Sequence, residues 1–265
     1  MANTVWNGSD KSAGITLTGS NLIATNSSGT VSGVRAVDRQ VTGKFYWEYT
    51  CNTFASVSSN VGIATQSVAI GAMSGAVGTS YVSRAGTIVV DGASSGFSLG
   101  TITAGTVVCV AVDCTARLVW YRAGAAGNWN ANASNNPATG VGGVSINSLG
   151  VGIPLYPATT LVATNDQVTA NFGDTAFTGA VPSGFTSGFT AGASVPTNAI
   201  ASQALAEHWL TTNPAAQITS VVAEHWASVA SDNLQAVVTF VALEHWTSVA
   251  VVVPAAGGPM VTMIH

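Results

Sequence analysis

Clusters of Gly, Asn and Ser recur along most of the chain and separate short runs rich in Val, Thr and aromatic residues. Short runs of this kind between turn residues are typical of β-strands, and no long helical pattern competes with them before Thr190. The pattern therefore predicts an all-β fold, either an antiparallel sandwich or a barrel. The predicted strands are residues 14–17, 21–24, 33–36, 43–51, 57–64, 87–90, 106–113, 117–122, 155–161 and 167–172.

The clearest strand pair is predicted within residues 106–122. There an apolar run turns at 113–116 and returns as a second apolar run, as expected for a hairpin with one buried face. Trp47 and Trp120 are predicted core residues. A Gly- and Asn-rich loop, residues 123–143, follows the hairpin, and long loops in compact domains are often binding elements.

Charged residues make up only 7% of the 265 residues, whereas the hydrophobic residues reach 47%. An average globular protein has roughly 25% charged residues. Disordered chains combine low hydrophobicity with high charge, and long helices are rich in Glu, Lys, Arg and Leu. The composition therefore excludes a disordered chain and a coiled coil.

The distribution of charge limits the class of partner. Arg122 is the last basic residue, and the chain beyond it carries six acidic residues. Binding to nucleic acid needs Lys and Arg to displace counterions, and attachment to an anionic membrane needs a basic cluster. The sequence therefore predicts neither nucleic acid nor membrane as a partner.

The N-terminal residues show neither the basic region nor the apolar region of a signal peptide, so we expect synthesis in a cytoplasm without one. The most apolar stretch, residues 248–264, contains two Pro and two Gly and is a poor membrane-spanning helix. Cys51, Cys109 and Cys114 are predicted to be free thiols, because the closest pair is separated by five extended residues, about 16 Å.

The amino-acid pattern of the sequence changes after Phe189. Residues 1–189 are predicted to be the sandwich, 190–202 a linker of small residues, and 203–265 a tail of short repeated strands. The tail repeats a Glu-His-Trp triplet three times, and its Val and Thr content favours strands. The predicted assembly residues are Glu207, His208, Trp209, Glu224, His225, Trp226, Glu244, His245 and Trp246.

The repeated histidines have two explanations. Three His with a water molecule could bind zinc, most readily if chains form a trimer around an axis. In a strand, however, neighbouring residues point to opposite faces, so each Glu shares a face with Trp and cannot easily orient the adjacent His. Packing, with a Trp on one face and a hydrogen-bonded imidazole on the other, is the interpretation we favour, and no metal or other cofactor is predicted.

One motif resembles a catalytic one. Residues 92–96 match the Gly-x-Ser-x-Gly pattern of a serine-hydrolase nucleophile elbow. The elbow requires a helix directly afterwards, but the residues that follow have the pattern of strand and turn, so a plain connection between strands is predicted. All histidines lie beyond Ser202. The sequence therefore predicts that the protein is not an enzyme.

Tyr81, Arg84 and Trp129 are the predicted ligand-binding residues, on the expectation that they lie in loops. Aromatic rings stack on sugars, and an arginine can form two hydrogen bonds to a carboxylate or hydroxyl group. A structural role in the core or scaffold is the interpretation we favour for each of the three.

Several segments in succession resemble the strands of SPRY domains. They are VWN at 5–7, ITL at 15–17, GKFYWE at 43–48, VGIA at 61–64, GTVVCVAVD at 105–113, LVWY at 118–121, YPA at 156–158, NFG at 171–173 and VPSGF at 181–185. The resemblance implies a bent antiparallel β-sandwich that acts in recognition, contacts its partner through loops at one rim, and has no catalytic residues. NPATG at 136–140 with GGVS at 142–145 is similar to the version found in virion proteins of tailed bacteriophages, and the repeated tail also resembles tails of phage structural proteins.

These features together predict a non-enzymatic structural protein of a phage virion, associated with decoration, collar, tail or fibre. It would display the SPRY-like domain and be anchored by its C-terminal repeats. Expected partners are other virion proteins and further copies of the chain, with a trimer as one form. The alternative is a module that binds carbohydrate, or another receptor, at the host cell surface. The expected location is the virion, after synthesis in the bacterial cytoplasm.

Overall fold

The computed structural model describes residues 3–190 and two short backbone segments, Val238–Thr239 and Ala250–Val251. The chain divides into two units, Met1–Val195 and Pro196–His265. The first unit consists of two antiparallel β-sheets, and the helical residues described in it form three-residue 3₁₀ turns.

The first sheet has seven strands. In spatial order they are β1 (Trp6–Lys11), β4 (Ser32–Ala36), β13 (Tyr156–Leu161), β6 (Asn60–Ala64), β7 (Thr79–Ser83), β8 (Thr87–Val90) and β9 (Ala93–Ser98). Every neighbouring pair is antiparallel. Because β4 and β6 both pair with β13, the centre of the sheet joins segments that are distant in sequence.

The second sheet has eight strands. In order they are β12 (Val144–Ser145), β11 (Leu118–Ala123), β10 (Thr106–Asp113), β5 (Lys44–Thr53), β14 (Gln167–Asn171), β3 (Ile23–Asn26) and β2 (Ile15–Thr18), and a short β15 (Thr186–Ser187) lies parallel to β5. The long central strands β5 and β10 pair over eight residues, from Thr106 opposite Cys51 to Asp113 opposite Lys44.

The main core lies between the sheets. Alternate residues of the central strands point inward, and Tyr49 packs with Trp6, Trp47 and Phe172 at ring centroid distances of 5.9–6.2 Å. All four rings are fully buried. Burial of a large apolar side chain contributes about 1.5–3 kcal/mol, so this aromatic cluster is a major source of stability.

Each sheet is also covered on its outer face. Residues 65–78 lie over the first sheet, where Val68 and Met73 pack on Ala158. On the second sheet, Trp120 and Tyr46 lie beneath Trp129 and Phe185. Both sheets are therefore buried on two faces over part of their area, which explains strands such as β4, β6 and β13 that are buried at every position.

The predicted fold class, an all-β antiparallel sandwich, is confirmed by this topology. The predicted hairpin is β10 and β11, although the turn extends to Arg117 and the second strand begins at Leu118. Trp47 and Trp120 are fully buried as predicted, and the three cysteines are free and buried. Strands β1, β7 and β9 were missing from the predicted set. Strands β1 and β9 contain Gly and Ser, which have weak strand preference, whereas β7 contains the strand-forming residues Thr79, Tyr81 and Val82 and was overlooked.

The Gly-x-Ser-x-Gly segment forms part of β9, an edge strand, and not the plain loop that was predicted. Ser94 is exposed and pairs with Val89 of β8, so it does not stand at the N-terminus of a helix. The expectation that strand and turn follow this segment is correct.

Two residues of the predicted tail strands, Val238–Thr239, pair antiparallel with Ala250–Val251. The nine predicted assembly residues and the linker after Thr190 lie outside the described residues. Within the part of the chain that the structure describes, no helix has the length and hydropathy needed to cross a membrane.

Candidate functional site

Four connections meet at one end of the sandwich. They follow β4, β6, β10 and β12, and we call them the arginine rim, comprising residues 37–43, 65–78, 114–117 and 146–155. Two of the four connections are each fixed by a buried arginine that lies outside the connection it fixes.

Arg117 fixes the connection after β12. Its side chain is only 2% exposed, and it donates hydrogen bonds to the backbone oxygens of Gly150 and Ile153, the latter at 3.1 Å. Burial lowers the pKa of Arg117, but a guanidinium remains protonated in proteins, so a full charge lies against these carbonyl groups. Hydrogen bonds from a charged donor are roughly twice as strong as neutral ones, which makes this loop rigid.

Arg35 performs the same function for the connection after β6. It forms a bidentate ion pair with Asp10, at 2.7 and 3.0 Å, and its Nη1 donates to the backbone oxygens of Thr65 and Val68 at 3.1 and 2.7 Å. The carboxylate partner offsets part of the cost of burying the charge. Residues 65–78, which lie over the first sheet, therefore begin from a fixed point on that sheet.

The connections are also joined to each other. Gln40 and Leu155 exchange two backbone hydrogen bonds of 2.9 and 3.0 Å. Next to them, Arg39 donates to the hydroxyl of Tyr156 at 2.8 Å. The Gln40 side chain donates to the backbone oxygen of Thr190 at 2.6 Å, so the chain leaves the sandwich beside this rim.

Four of the side chains that these loops present to solvent are large aliphatic ones, beside exposed polar residues such as Arg39 and Asn147. Val151 is 77% exposed, Val77 73%, Val37 50% and Ile153 44%. Single exposed valines are ordinary, but four large exposed aliphatic side chains on loops at one end of the sandwich offer apolar area for contact with a protein. Because the loops are already ordered, a partner that binds there loses little conformational entropy.

The opposite end of the sandwich is ordered by different groups. Asp166 is fully buried and accepts hydrogen bonds from the Ala55 backbone at 2.6 Å, Ser59 Oγ at 2.5 Å and the Ala163 backbone at 3.0 Å. It therefore joins the connection after β5 to the connection after β13. Val57 is exposed at this end, and it supplies a matched control for variants of the rim.

A small pocket lies between the first sheet and residues 65–78, which lie over it. It is lined by Asn60, Gly62, Ile63, Met73, Thr79, Tyr81 and Ala158, and its volume of about 10 Å³ accommodates about one water molecule. A sugar ring or other small-molecule ligand does not fit there. This pocket therefore gives no support to a ligand-binding role for Tyr81.

The predicted ligand-binding residues do not come together at the rim. Tyr81 lies in β7, not in a loop, is 7% exposed, and its hydroxyl accepts from the Gly75 backbone. Arg84 directly follows β7 and is half-buried, with Nε lacking a hydrogen-bond partner. Trp129 lies in the predicted long loop, but it is 8% exposed because its ring packs edge-on against Tyr46, 6.3 Å away, beneath the Arg122 guanidinium. These positions favour the scaffold alternative, and ligand contact stays a prediction.

Sequence reasoning missed Arg35, Arg117 and the four exposed aliphatic residues. A signal was present, because a chain with only seven Lys and Arg uses each of them sparingly. Six of the seven have a hydrogen-bonding partner within the sandwich, and Arg84 is the seventh. Within residues 3–190, no group of three or more His, Cys, Asp and Glu side chains is close enough to hold a metal ion.

Comparison with known proteins shows similarity of structure only. The chain is similar to the SPRY domain of human HERC1, with 14% identity, a TM-score of 0.48, and coverage of 62% of this chain and 96% of that one. It is also similar to the PSpry domain of TRIM65 (10% identity, TM-score 0.47, coverage 64% and 92%) and to a human SPRY domain (14%, 0.45, 60% and 94%). No family model and no curated protein matches the sequence. The assignment of a two-sheet antiparallel fold rests on the strand pairing described above.

Proposed function

We propose that the protein is a non-enzymatic structural component of a tailed-phage virion, in which the sandwich recognises a protein partner through the arginine rim and the C-terminal repeats anchor the chain. One observation carries the recognition role. Arg35 and Arg117 are buried and bind backbone carbonyl groups of two rim connections, and the rim exposes four large aliphatic side chains, Val37, Val77, Val151 and Ile153.

The chemistry of the rim favours a protein partner. Val37, Val77, Val151 and Ile153 offer apolar contact area without a deep cavity. Small-molecule sites are concave and surround most of their ligand, whereas protein interfaces are broad and have an apolar centre. The alternative, a carbohydrate-binding module, would need exposed rings, and both aromatic residues proposed for it, Tyr81 and Trp129, are buried.

The use of the basic residues also supports this class of partner. A nucleic-acid site needs Lys and Arg free to contact phosphates. Here Arg35, Lys44 and Arg117 are committed to Asp10, Asp113 and backbone carbonyls. The exposed cation of the rim, Arg39, lies next to Asp38 in the sequence, so these two charges offset each other.

The virion role is supported by the sequence. Only 7% of the residues are charged, and three Glu-His-Trp units follow the sandwich. Permanent assemblies bury extended apolar surfaces, and repeated short strands can add to the sheets of neighbouring proteins. The proposed locations are decoration, collar, tail or fibre, with other virion proteins and further copies of the chain as anchoring partners.

The test uses phage particles complemented with variant chains. Val151→Asp and Val77→Asp place a charge on the rim, and Val57→Asp places one at the opposite end as the control. Because all three side chains are exposed, folding stability should change by less than about 0.5 kcal/mol. We expect normal copy number per particle in all three cases, and slower adsorption to host cells for the two rim variants only.

Two outcomes would contradict the proposal. Unchanged adsorption by both rim variants would remove the recognition role from the rim. Loss of the rim variants from purified particles, with Val57→Asp retained, would make the rim the assembly surface and would remove the anchoring role from the C-terminal repeats.

A further inference from the structure

A row of polar side chains crosses the outer face of the second sheet, away from the arginine rim. Glu48 on β5, Cys109 on β10 and Arg122 on β11 are direct cross-strand neighbours, because Cys109 pairs with Glu48 on one side and with Arg122 on the other. Glu48 is 2% exposed and Arg122 8%. A carboxylate and a guanidinium are thus buried on the same face of the sheet, with the strand β10 between them.

Both charged groups bind the backbone of a single segment. Glu48 accepts from the backbone nitrogens of Thr178 at 2.9 Å and Gly179 at 2.7 Å, and Arg122 Nη2 donates to the backbone oxygen of Ala180 at 3.0 Å. We call residues 172–185 the covering segment. These contacts are made to the N–H groups of residues 178 and 179 and to the carbonyl group of residue 180. They therefore do not depend on the side chains of the segment.

Two positions of the covering segment are selected by their side chains. Phe177 packs edge-on against Tyr46, with ring centroids 4.9 Å apart. A Cβ atom at Gly179 would lie 2.5 Å from Arg122 Nη2, 2.7 Å from the Tyr46 hydroxyl and 3.1 Å from Cys109 Sγ. The face therefore accepts an aromatic residue followed, two positions later, by glycine.

The charges on this face are costly for a purely structural contact. Among residues 3–190, the ion pairs are Arg35 with Asp10 and Lys44 with Asp113, and neither includes Glu48 or Arg122. The Glu48 carboxylate is stabilised by hydrogen bonds alone, among them those from the Tyr46 hydroxyl at 2.5 Å and from the two backbone N–H groups, and apolar packing would cover the sheet without burying a charge. Arg122 is buried with its Nε unpartnered and its guanidinium 4.3 Å from the Trp129 ring centroid. The arrangement matches a site that recognises main-chain groups in extended peptides.

The middle of the covering segment, residues 174–180, is more exposed than its ends, where Phe172 and Phe185 are buried. Residues 174–176, 178 and 180 are exposed, and no regular secondary structure is present between Asn171 and Thr186. Segments with few buried contacts open locally at a lower free energy than global unfolding. The face beneath can therefore become free while the sheets remain folded.

We propose that Tyr46, Glu48, Cys109, Arg122 and Trp129 form a binding site for an extended protein segment that carries an aromatic residue followed two positions later by glycine. The chain's own Phe177–Gly179 occupies this site in the isolated protein. A partner segment with the same pattern replaces it and binds through the same backbone contacts. This proposal does not depend on the role of the arginine rim.

Cys109 reports on the site, because its thiol lies beneath Gly179. The full chain is treated with a thiol reagent at pH 8, and labelling of the three cysteines is followed separately by mass spectrometry. Cys51 and Cys114 lie in the core between the sheets and serve as internal controls for global unfolding. We expect Cys109 to be labelled about 10-fold faster than either control, since local opening costs less than global unfolding.

The same assay measures recognition. A synthetic peptide of residues 174–185 competes with a tethered segment at an effective concentration in the millimolar range, so it is added at about 1 mM or more. It should slow the labelling of Cys109, and a peptide carrying Gly179→Val should not. In the protein, Glu48→Gln removes one charged acceptor and should accelerate Cys109 labelling without affecting Cys51.

Equal labelling rates for all three thiols would overturn the proposal, because the segment would then open only when the protein unfolds. Fast labelling of Cys109 that both peptides slow equally, or that neither slows, would also overturn it. The face would then open without recognising the aromatic and glycine pattern. The wild-type comparison remains decisive if the Glu48→Gln protein does not fold.

Discussion

The guanidinium of Arg117 and the backbone oxygen of Ile153 are joined by a hydrogen bond of 3.1 Å between two separate connections of the sandwich. The arginine stands at the end of the β10–β11 turn with φ of 56°, a left-handed conformation that is uncommon for a residue with a long side chain. The β10–β11 turn holds Arg117 in this strained conformation, and the Arg117 side chain fixes the loop after β12.

Arg117→Met should destabilise the protein and release this loop. Methionine fills similar space but cannot donate, and the loss of hydrogen bonds from a charged donor costs about 1.5–3 kcal/mol. Urea unfolding should show a loss of about this size, and limited proteolysis should cut within residues 150–155. The control is Arg39→Met, since Arg39 is exposed and should contribute less than about 1 kcal/mol. Equal losses in the two variants would show that Arg117 does not fix the loop.

Trp129→Ala separates the two roles considered for this residue. The ring is 8% exposed and packs on Tyr46 and Arg122, and removal of a buried Trp costs about 3–5 kcal/mol. We therefore expect a large drop in the melting temperature by calorimetry. A normal melting temperature combined with loss of binding to host glycans would support the ligand-binding role instead.

The buried thiols make the protein less stable in alkaline solution. Burial raises the pKa of Cys51 and of Cys114 to about 12. In the unfolded chain a thiol ionises near pH 8.5, so the unfolded state gains charge first as pH rises. Stability is therefore full below about pH 8.5 and falls by up to about 1.4 kcal/mol per thiol for each pH unit above it, until about pH 12.

This dependence can be measured by urea unfolding between pH 8 and 9.5, a range in which unfolded tyrosines are still mostly neutral. The Cys51→Ala, Cys114→Ala double variant should be less stable at pH 8, because it leaves cavities, but its stability should fall less steeply with pH. A wild-type stability that is constant over this range would show that the thiols are accessible to solvent in the folded protein.

Sequence patterns predicted the parts of the fold that depend on local alternation. The β10–β11 hairpin and β5 consist of Val, aromatic and other strand-forming residues, so their pattern was sufficient. The strand β9, with the sequence ASSGFS, has almost no such signal. It forms a hairpin with β8 through the two-residue turn Asp91–Gly92, where φ is 54° and 78°, and this Asp-Gly pair was the local signal that the prediction missed.

The position of Trp129 shows why the candidate site was harder to predict. The next residue, Asn130, has φ of 45°, and its side-chain amide accepts from the Tyr121 backbone at 2.8 Å and donates to the Gly142 backbone at 2.9 Å. These bonds turn the loop back onto the sheet and bury the ring. A Gly- and Asn-rich loop gives no local sign of this return, so the sequence left ligand contact by Trp129 open beside the favoured scaffold role.

The final prediction concerns residues 203–265. The three repeat units place Trp209, Trp226 and Trp246 at matching positions in a segment without Lys or Arg. Exposed rings and strand edges favour association, and each Trp buried in a partner could contribute a few kcal/mol. We expect deletion of residues 203–265 to yield a soluble monomeric sandwich that no longer enters phage particles.

Light scattering of the purified chain and quantitative mass spectrometry of particles measure the two parts of this prediction. A full-length variant with all three tryptophans changed to alanine is the matched control, because it keeps chain length and charge. It should behave like the deletion if the rings provide the anchor. If the deletion protein keeps the oligomeric state of the full chain and still copurifies with particles, the sandwich itself is the anchor, because association through the repeats would have been removed.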